Sequence, residues 1–119
     1  MPARLSVGID LVQVSRIADS VATFGERFLC RIFTAGELAY ARDVPERLAA
    51  RFAAKEAAKK ALGLDGISWR DVEVWRAANG ACELVLHGAA RVAAGTRELA
   101  LSMSHDGDHA TAIVIASNP

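Results

Sequence analysis

The run Arg51–Gly63, RFAAKEAAKKALG, constrains this chain more than any other stretch. It is built almost wholly from Ala, Lys, Glu, Leu and Arg, which are strong helix formers. Nothing interrupts it before Gly63, a residue suited to a left-handed C-terminal cap. Drawn as a helix, Ala49, Ala53, Ala57 and Ala61 fall on one ridge at four-residue spacing, flanked by Leu48, Phe52 and Leu62. A ridge of alanines lets a helix lie very close to whatever packs on it. Phe52, Glu56 and Lys60 form a second ridge beside Arg51, Lys55 and Lys59. One carboxylate, Glu56, is thereby set among cations. Two readings fit this pattern. One is a solvated face with i,i+4 pairs worth about 0.2–0.5 kcal/mol each. The other is an anion site, with cations for phosphates and a carboxylate for the accompanying metal.

The 119 residues predict a single domain over 1–119 with a modest core. Formal net charge is zero, so there is no general pull toward nucleic acid or a membrane surface. Apolar residues make up 52% of the chain but aromatics only 6%, leaving alanine and the aliphatics to carry the packing. So apolar a short chain suits burial of part of its surface in an oligomer. Cys30 and Cys82 belong to no CxxC motif, which predicts a reduced, cytoplasmic chain rather than a disulfide scaffold. The first residues carry no signal-peptide pattern, and no apolar run approaches membrane-spanning length.

Leu5–Val14, LSVGIDLVQV, reads as a strand, with Val7, Ile9 and Leu11 on one face and Gly8, Asp10, Val12 and Val14 on the other. Asp10 is out of place there: a carboxylate amid Ile9, Leu11 and Val12 needs a cation, a metal or backbone donors. Ser15 is placed to cap a helix over Arg16–Phe24 that Gly25 ends, followed by a linker holding Arg27, Phe28 and Arg31. Thr34 and Glu37 form a capping box for a helix reaching about Arg42, with Phe33 as a staple onto Leu38. Asp43 and Glu46 offer a second box, with Pro45 in the first turn, to open the central helix. Strands are predicted over Val72–Ala77 and Cys82–Leu86 about an Asn79-Gly80 turn, then a helix over Gly88–Ala94. A last hairpin joins Leu99–His105 to His109–Ala116 across Asp106-Gly107-Asp108. The order β-α-α-α-ββ-α-ββ predicts an α+β fold with helices on one face of a mainly antiparallel sheet.

His87 beside Gly88 reads as a surface loop residue, and His109 as solvent-facing. His105 alternates with Leu99, Leu101 and Met103, which by itself suits a core-edge histidine. There is no HExxH, no CxxC pair and no Gly-Lys-Ser/Thr loop, so the familiar zinc, redox and P-loop chemistries find no motif.

Taken together, GIDLVQVSRI, RFAAKEAAKKALG and LSMSHD resemble the holo-acyl-carrier-protein synthase family of 4′-phosphopantetheinyl transferases, in order and over nearly the whole chain. The family signature, an Asp in the first strand plus RF-x-x-KE-x-x-x-K, corresponds to Asp10, Arg51, Phe52, Lys55, Glu56 and Lys60; Phe33–Leu38 is similar to the family's FT-x-x-EL segment. The resemblance implies the 4′-phosphopantetheinyl transferase fold. It also implies transfer of the phosphopantetheine arm of coenzyme A to a serine of an apo acyl carrier protein, releasing 3′,5′-bisphosphoadenosine. Asp10 and Glu56 are the implied Mg²⁺ ligands, and Lys60 the implied neutraliser of phosphate charge. Arg51 and Lys55 are implied either to contact the coenzyme or to anchor the helix, and His105 to stand at the coenzyme pocket. The general base stays open between Glu56 and a water held by the metal. The implied carrier-docking surface comprises Arg16, Phe24 and Arg27, and the implied assembly is a homotrimer with sites between subunits.

Three departures from the family pattern stand out. Gln13 replaces a frequent Glu, Gly80-Ala81-Cys82 replaces Gly-Lys-Pro, and Glu26 thins a usually basic docking face. Two rival readings use the same residues: a non-catalytic carrier-protein or nucleotide binder, and a Mg²⁺-dependent pyrophosphohydrolase. The clustered Glu helix of Nudix-type hydrolases is absent.

Overall fold

The computed structural model describes residues 3–119; Met1 and Pro2 of the expected 1–119 domain lie outside the described residues. Strand β1 (Leu5–Gln13) leads into four helices: α1 (Val14–Phe24), α2 (Glu26–Ile32), α3 (Ala35–Ala41) and α4 (Pro45–Leu62). A single 3-10 turn, Trp69–Asp71, precedes the hairpin β2 (Val72–Arg76) and β3 (Cys82–Leu86). Helix α5 (Gly88–Ala94) then connects to the hairpin β4 (Leu99–Asp106) and β5 (His109–Ser117). The fold is α+β, as expected. Its strands divide into two antiparallel sheets, β1-β5-β4 and β2-β3.

The alanine ridge does what its spacing demands. Ala53, Ala57 and Ala61 are buried against the inner face of the larger sheet, where Ala110, Ala112 and Ala116 of β5 are equally buried. Two small-residue surfaces meet, and the helix axis comes unusually near the strand. Gly8 marks the tightest point: a Cβ there would lie 2.0 Å from the Ala57 carbonyl oxygen and 2.7 Å from the Ala61 nitrogen.

Four local expectations give way to the structure. Val14 starts α1 instead of ending β1. Ser15 is inside that helix rather than its cap; its N–H donates to Asp108 Oδ1 at 2.8 Å and its hydroxyl to Asp108 Oδ2 at 2.6 Å. The carboxylate satisfying the start of α1 thus comes from the far hairpin. The linker holding Arg27, Phe28 and Arg31 is helix α2, entered directly from Gly25, whose φ of 56° turns the chain between the two helices. The Asp43/Glu46 box does not form: Asp43 has φ 61° and Val44 is the N-cap, whereas Pro45 does open α4. The Thr34/Glu37 box is complete, and Gly63 caps α4 in the left-handed region.

The solvated-face reading of α4 also fails. Arg51 is 3% exposed and Lys55 is fully buried. Lys55 Nζ donates to Glu37 Oε1 at 2.8 Å and to the Trp69 and Val72 carbonyls; the other Glu37 oxygen accepts the Val74 N–H at 2.9 Å. The pair therefore satisfies the Val72 and Val74 backbone groups of β2 that are turned toward α3 and α4. Removing one partner would leave an uncompensated buried charge, a loss of about 3–5 kcal/mol.

Beside it Glu73, also buried, accepts from the Thr34 hydroxyl and pairs with His87 Nε2 at 2.8 Å. Burial works to raise the Glu73 carboxyl, but hydrogen bonds from Thr34, His87 and Trp75 outweigh it and hold its pKa below the ordinary value. His87 is exposed, as expected, but it has this specific partner.

The outer face of the larger sheet is apolar and open. Leu5, Val7, Ile9 and Leu11 of β1 are each 60% exposed or more, and Ile113 and Ile115 of β5 adjoin them through the strand register.

Candidate active site

The close approach of β1 and α4 brings Asp10 and Glu56 together. Asp10 lies on the inner face of β1, and Glu56 faces it from the middle of α4. Both line one cleft of about 440 Å³, with Gln13, Arg16, Phe28 and Phe52 among its other walls. Lys60, one turn beyond Glu56, donates to the Ile9 carbonyl at 3.0 Å and to Asp10 Oδ1 at 3.3 Å. Asp10 thereby has the cation partner its apolar strand required. Glu56 also lines a second, smaller cleft of about 310 Å³ toward the C-terminal end of α4, with Lys59, Lys60, Gly63, Leu64 and Asp65.

The donor set is informative about a metal. Among the described residues no three His, Cys, Asp or Glu side chains converge, so no all-protein cage of the zinc or calcium type is present. Two carboxylates on one open cleft suit an ion that takes one or two protein oxygens and completes its shell from water and phosphate. Mg²⁺ behaves in this way. Asp10 and Glu56 fit it.

The other expected site residues divide. Of the two roles open to Lys55, coenzyme contact gives way to helix anchor: it has no exposed surface and its donors are committed to Glu37, Trp69 and Val72. Burial pulls its pKa below the ordinary lysine value, against the opposing pull of Glu37. Arg51 is also buried and lies over the Tyr40 ring at 4.2 Å, with Arg47 and Arg76 each 5.2 Å from that ring. Its Nε finds no hydrogen-bond partner among the described residues. Desolvation lowers the Arg51 pKa. The result is a cluster of three guanidiniums about one aromatic ring.

His105 stands apart. It is exposed at the end of β4, opposite Ala110, on the far edge of the sheet from β1. It does not line the Asp10/Glu56 cleft.

Arg16 does line that cleft. Phe24, 59% exposed, and Arg27 form an adjoining depression of about 330 Å³ with Phe28 and Arg31. Phe28 lines both hollows, so the two adjoin. Its part was hidden because α2 lacks a Ser, Thr or Asp start and reads as linker. Trp69, stacked on Phe52 at 4.9 Å, was missed as well; a lone tryptophan beside a Gly-Ile-Ser loop gives no periodic signal.

The sequence model of the 4′-phosphopantetheinyl transferase superfamily matches residues 6–114. The holo-[acyl-carrier-protein] synthase of Koribacter versatilis is 49% identical over 93% of this chain and 96% of its own length. Among solved structures, the ACPS–coenzyme A complex of Chronobacterium ammoniagenes superposes with a TM-score of 0.87 at 31% identity, covering 98% of this chain and 99% of that one. The Helicobacter pylori holo-[acyl-carrier-protein] synthase in complex with coenzyme A gives a TM-score of 0.85 at 30% identity, over 93% and 99% of the two chains. With one cleft walled by Asp10 and Glu56 and likeness of this extent in both sequence and fold, the chain belongs to the 4′-phosphopantetheinyl transferase superfamily, among its holo-[acyl-carrier-protein] synthases.

Proposed function

We propose that this single-domain chain transfers the 4′-phosphopantetheine arm of coenzyme A to a serine of an apo acyl carrier protein, in the cytoplasm, with Mg²⁺ held by Asp10 and Glu56. The observation that carries the reading is the convergence of these carboxylates, from strand and helix, on one cleft beside Lys60. The serine oxygen attacks the phosphorus that bears the pantetheine arm. The diphosphate P–O bond breaks, and 3′,5′-bisphosphoadenosine leaves. When bound, Mg²⁺ would offset the charge that builds on the phosphoryl oxygens. Glu56, which lines the cleft, would take the serine proton directly or through a water. Lys60 reaches the same point from one turn away as a mobile point charge.

The guanidinium cluster supports Arg51 as a coenzyme residue acting from beneath: Arg47 and Arg76 are exposed around Tyr40, and the buried Arg51 backs them. Such a cluster suits a phosphate distant from the reacting one. For the carrier, Arg16 stands at the cleft mouth, with Phe24 an apolar anchor and Arg27 a second cation. An acidic helix beside the target serine complements them.

A homotrimer with shared sites fits two features. The open face of Leu5, Val7, Ile9, Leu11, Ile113 and Ile115 demands cover. His105, remote from the cleft of its own chain, would join a neighbour's coenzyme pocket in such an assembly.

The test is to incubate the protein with coenzyme A, Mg²⁺ and an apo acyl carrier protein, then weigh the carrier. A gain of one phosphopantetheine group is expected. Coenzyme cleavage with an unmodified carrier would make the protein a hydrolase, and no change in either would make it a binder; both outcomes overturn the proposal.

A further inference from the structure

The second cleft, toward the C-terminal end of α4, holds a cation with no anionic partner. Lys60 is engaged there, tied to Asp10 and the Ile9 carbonyl. Lys59 makes no ion pair or hydrogen bond among the described residues. Its ammonium rests on the face of Trp69, 4.0 Å from the ring centroid. Trp69 is in turn fixed by stacking on Phe52, which stands seven residues before Lys59 on the same face of α4. Phe52 walls the carboxylate cleft, so the Phe52–Trp69–Lys59 stack runs along the helix past Glu56 from one hollow to the other.

This arrangement is a parked charge. A cation on an aromatic face at a partly exposed site is held only weakly, whereas ammonium contacts to a diphosphate are charge-assisted on both sides. The lysine stem is long enough to leave the ring without moving the helix. The two hollows also differ in character. The first carries Arg16 and Phe28 and opens toward α1 and α2; the second is walled by Lys59 and Lys60, with Asp65 the one acid besides Glu56. Attack on a phosphorus needs nucleophile and leaving group on opposite sides, and Glu56 stands between the two hollows.

We propose that Lys59 is a substrate-binding cation of the transfer: it leaves the Trp69 face to bind the diphosphate of coenzyme A, alongside Lys60 and across Glu56 from the carrier-facing cleft. The proposal rests on the transferase reading above. Asp65 opposes it electrostatically, so Asp65→Asn should tighten coenzyme binding.

The test uses Lys59→Met, which keeps the stem and removes the charge, with Lys59→Arg as the conservative rescue and Lys59→Gln as a second truncation. Calorimetric Kd for coenzyme A should rise about tenfold in Lys59→Met, a single charged contact's worth, and recover in Lys59→Arg. The same factor should hold for dephospho-coenzyme A, which lacks the 3′-phosphate. In a Trp75→Phe background Trp69 is the sole tryptophan. Inorganic pyrophosphate should then change its emission saturably, and should not do so once Lys59→Met is added. Thermal unfolding should be little changed, since a merely structural lysine would move stability and not the ring's response to pyrophosphate. Unchanged coenzyme affinity in both Lys59→Met and Lys59→Gln, or a Trp69 emission indifferent to pyrophosphate, overturns the proposal. A penalty that disappears with dephospho-coenzyme A refutes the diphosphate assignment. A parent protein that binds neither coenzyme A nor pyrophosphate overturns the transferase reading itself.

Discussion

The contact at Gly8 makes the sharpest demand on the fold. In Gly8→Ala the new methyl would sit 2.0 Å from the Ala57 carbonyl oxygen, 2.7 Å from the Ala61 nitrogen and 2.9 Å from Lys60 Cβ. The first two are backbone atoms of α4, so no side chain can swing aside. To reach even a tight contact, α4 and β1 must part by about 1 Å or more, against an overpacking cost of typically about 1–3 kcal/mol. The upper end applies because the neighbours are helix backbone. For a chain of this size that is a fall in Tm of about 10 °C. The larger effect falls on catalysis. Asp10 lies two residues from Gly8 on β1, while Glu56 and Lys60 flank Ala57 on α4, so the same separation pulls the carboxylates apart. A misplacement of about 1 Å can cost about a hundredfold in rate. The assay is phosphopantetheine transfer measured well below the variant's Tm, beside Gly95→Ala as control. Gly95 (φ 60°, ψ −123°) has nothing within 4 Å of its Cβ position but a backbone that other residues rarely adopt, so it should lose about 1–3 kcal/mol of stability and no turnover. Gly8→Ala with parental Tm and turnover would refute the close-packing argument.

Because Asp10 and Glu56 wall one cleft, Asp10→Ala and Glu56→Ala should each abolish turnover while leaving circular dichroism unchanged, and chelator should silence the parent; full activity in either variant sinks the metal assignment. Arg16→Glu should raise the KM for the carrier several-fold with little effect on that for coenzyme A, and added salt should reproduce part of the loss; untouched carrier kinetics at low salt would place the docking surface elsewhere. Ile9→Asp, in the middle of the open sheet face, should yield monomers in sedimentation and lose transfer; a monomeric parent, active at assay concentration, would refute the trimer. Glu73 and Asp108 both have pKa values held below the ordinary carboxylate range, Asp108 by the side-chain and backbone hydrogen bonds from Ser15. Their stabilising effect is complete above the unfolded values of about 4 and is lost as pH falls through the folded ones. Tm should therefore hold from neutrality to about pH 5 and drop below about pH 4. Glu73→Gln should make that acid drop shallower; parallel acid limbs would contradict the assignment.

What the sequence revealed depended on how far apart the partners lie in the chain. Gly63 as a cap, the Thr34/Glu37 box and the Asn79-Gly80 turn are local devices, and each is found where its residues stand. The alanine ridge was legible because a helix repeats its faces whatever packs on them. The start of α1 was not, since Ser15 looks like a cap until Asp108, 93 residues away, supplies the carboxylate. Asp43 has the right letters for a box, but its φ of 61° is incompatible with the extended backbone an N-cap needs. Spacing alone could not separate the cations of α4 by role. Lys55 and Lys59 share a helical ridge in the sequence, yet Glu37 and β2 close over the first and leave the second at a cleft. Asp10 and Glu56 emerged from the resemblance together with the chemical oddity of Asp10. Phe28, Trp69 and the Tyr40 cluster needed the tertiary fold, because each acts through neighbours distant in the chain.

The ion pair beneath β2 has a consequence for how this protein behaves in company. A strand whose backbone donors and acceptors face outward is a template on which another chain can grow, the usual first step toward domain-swapped or fibrillar aggregates. The hairpin of β2 and β3 would be a ready candidate, with Val72, Val74, Leu84 and Leu86 in so short a span. Here the Val72 carbonyl and the Val74 N–H are already taken, by the Lys55 ammonium and the Glu37 carboxylate, and both side chains have no exposed surface. A visiting strand would have to expel a buried salt bridge before forming its first hydrogen bond. The two charges thus act as a stopper on the sheet, keeping a small apolar chain from propagating its own edge.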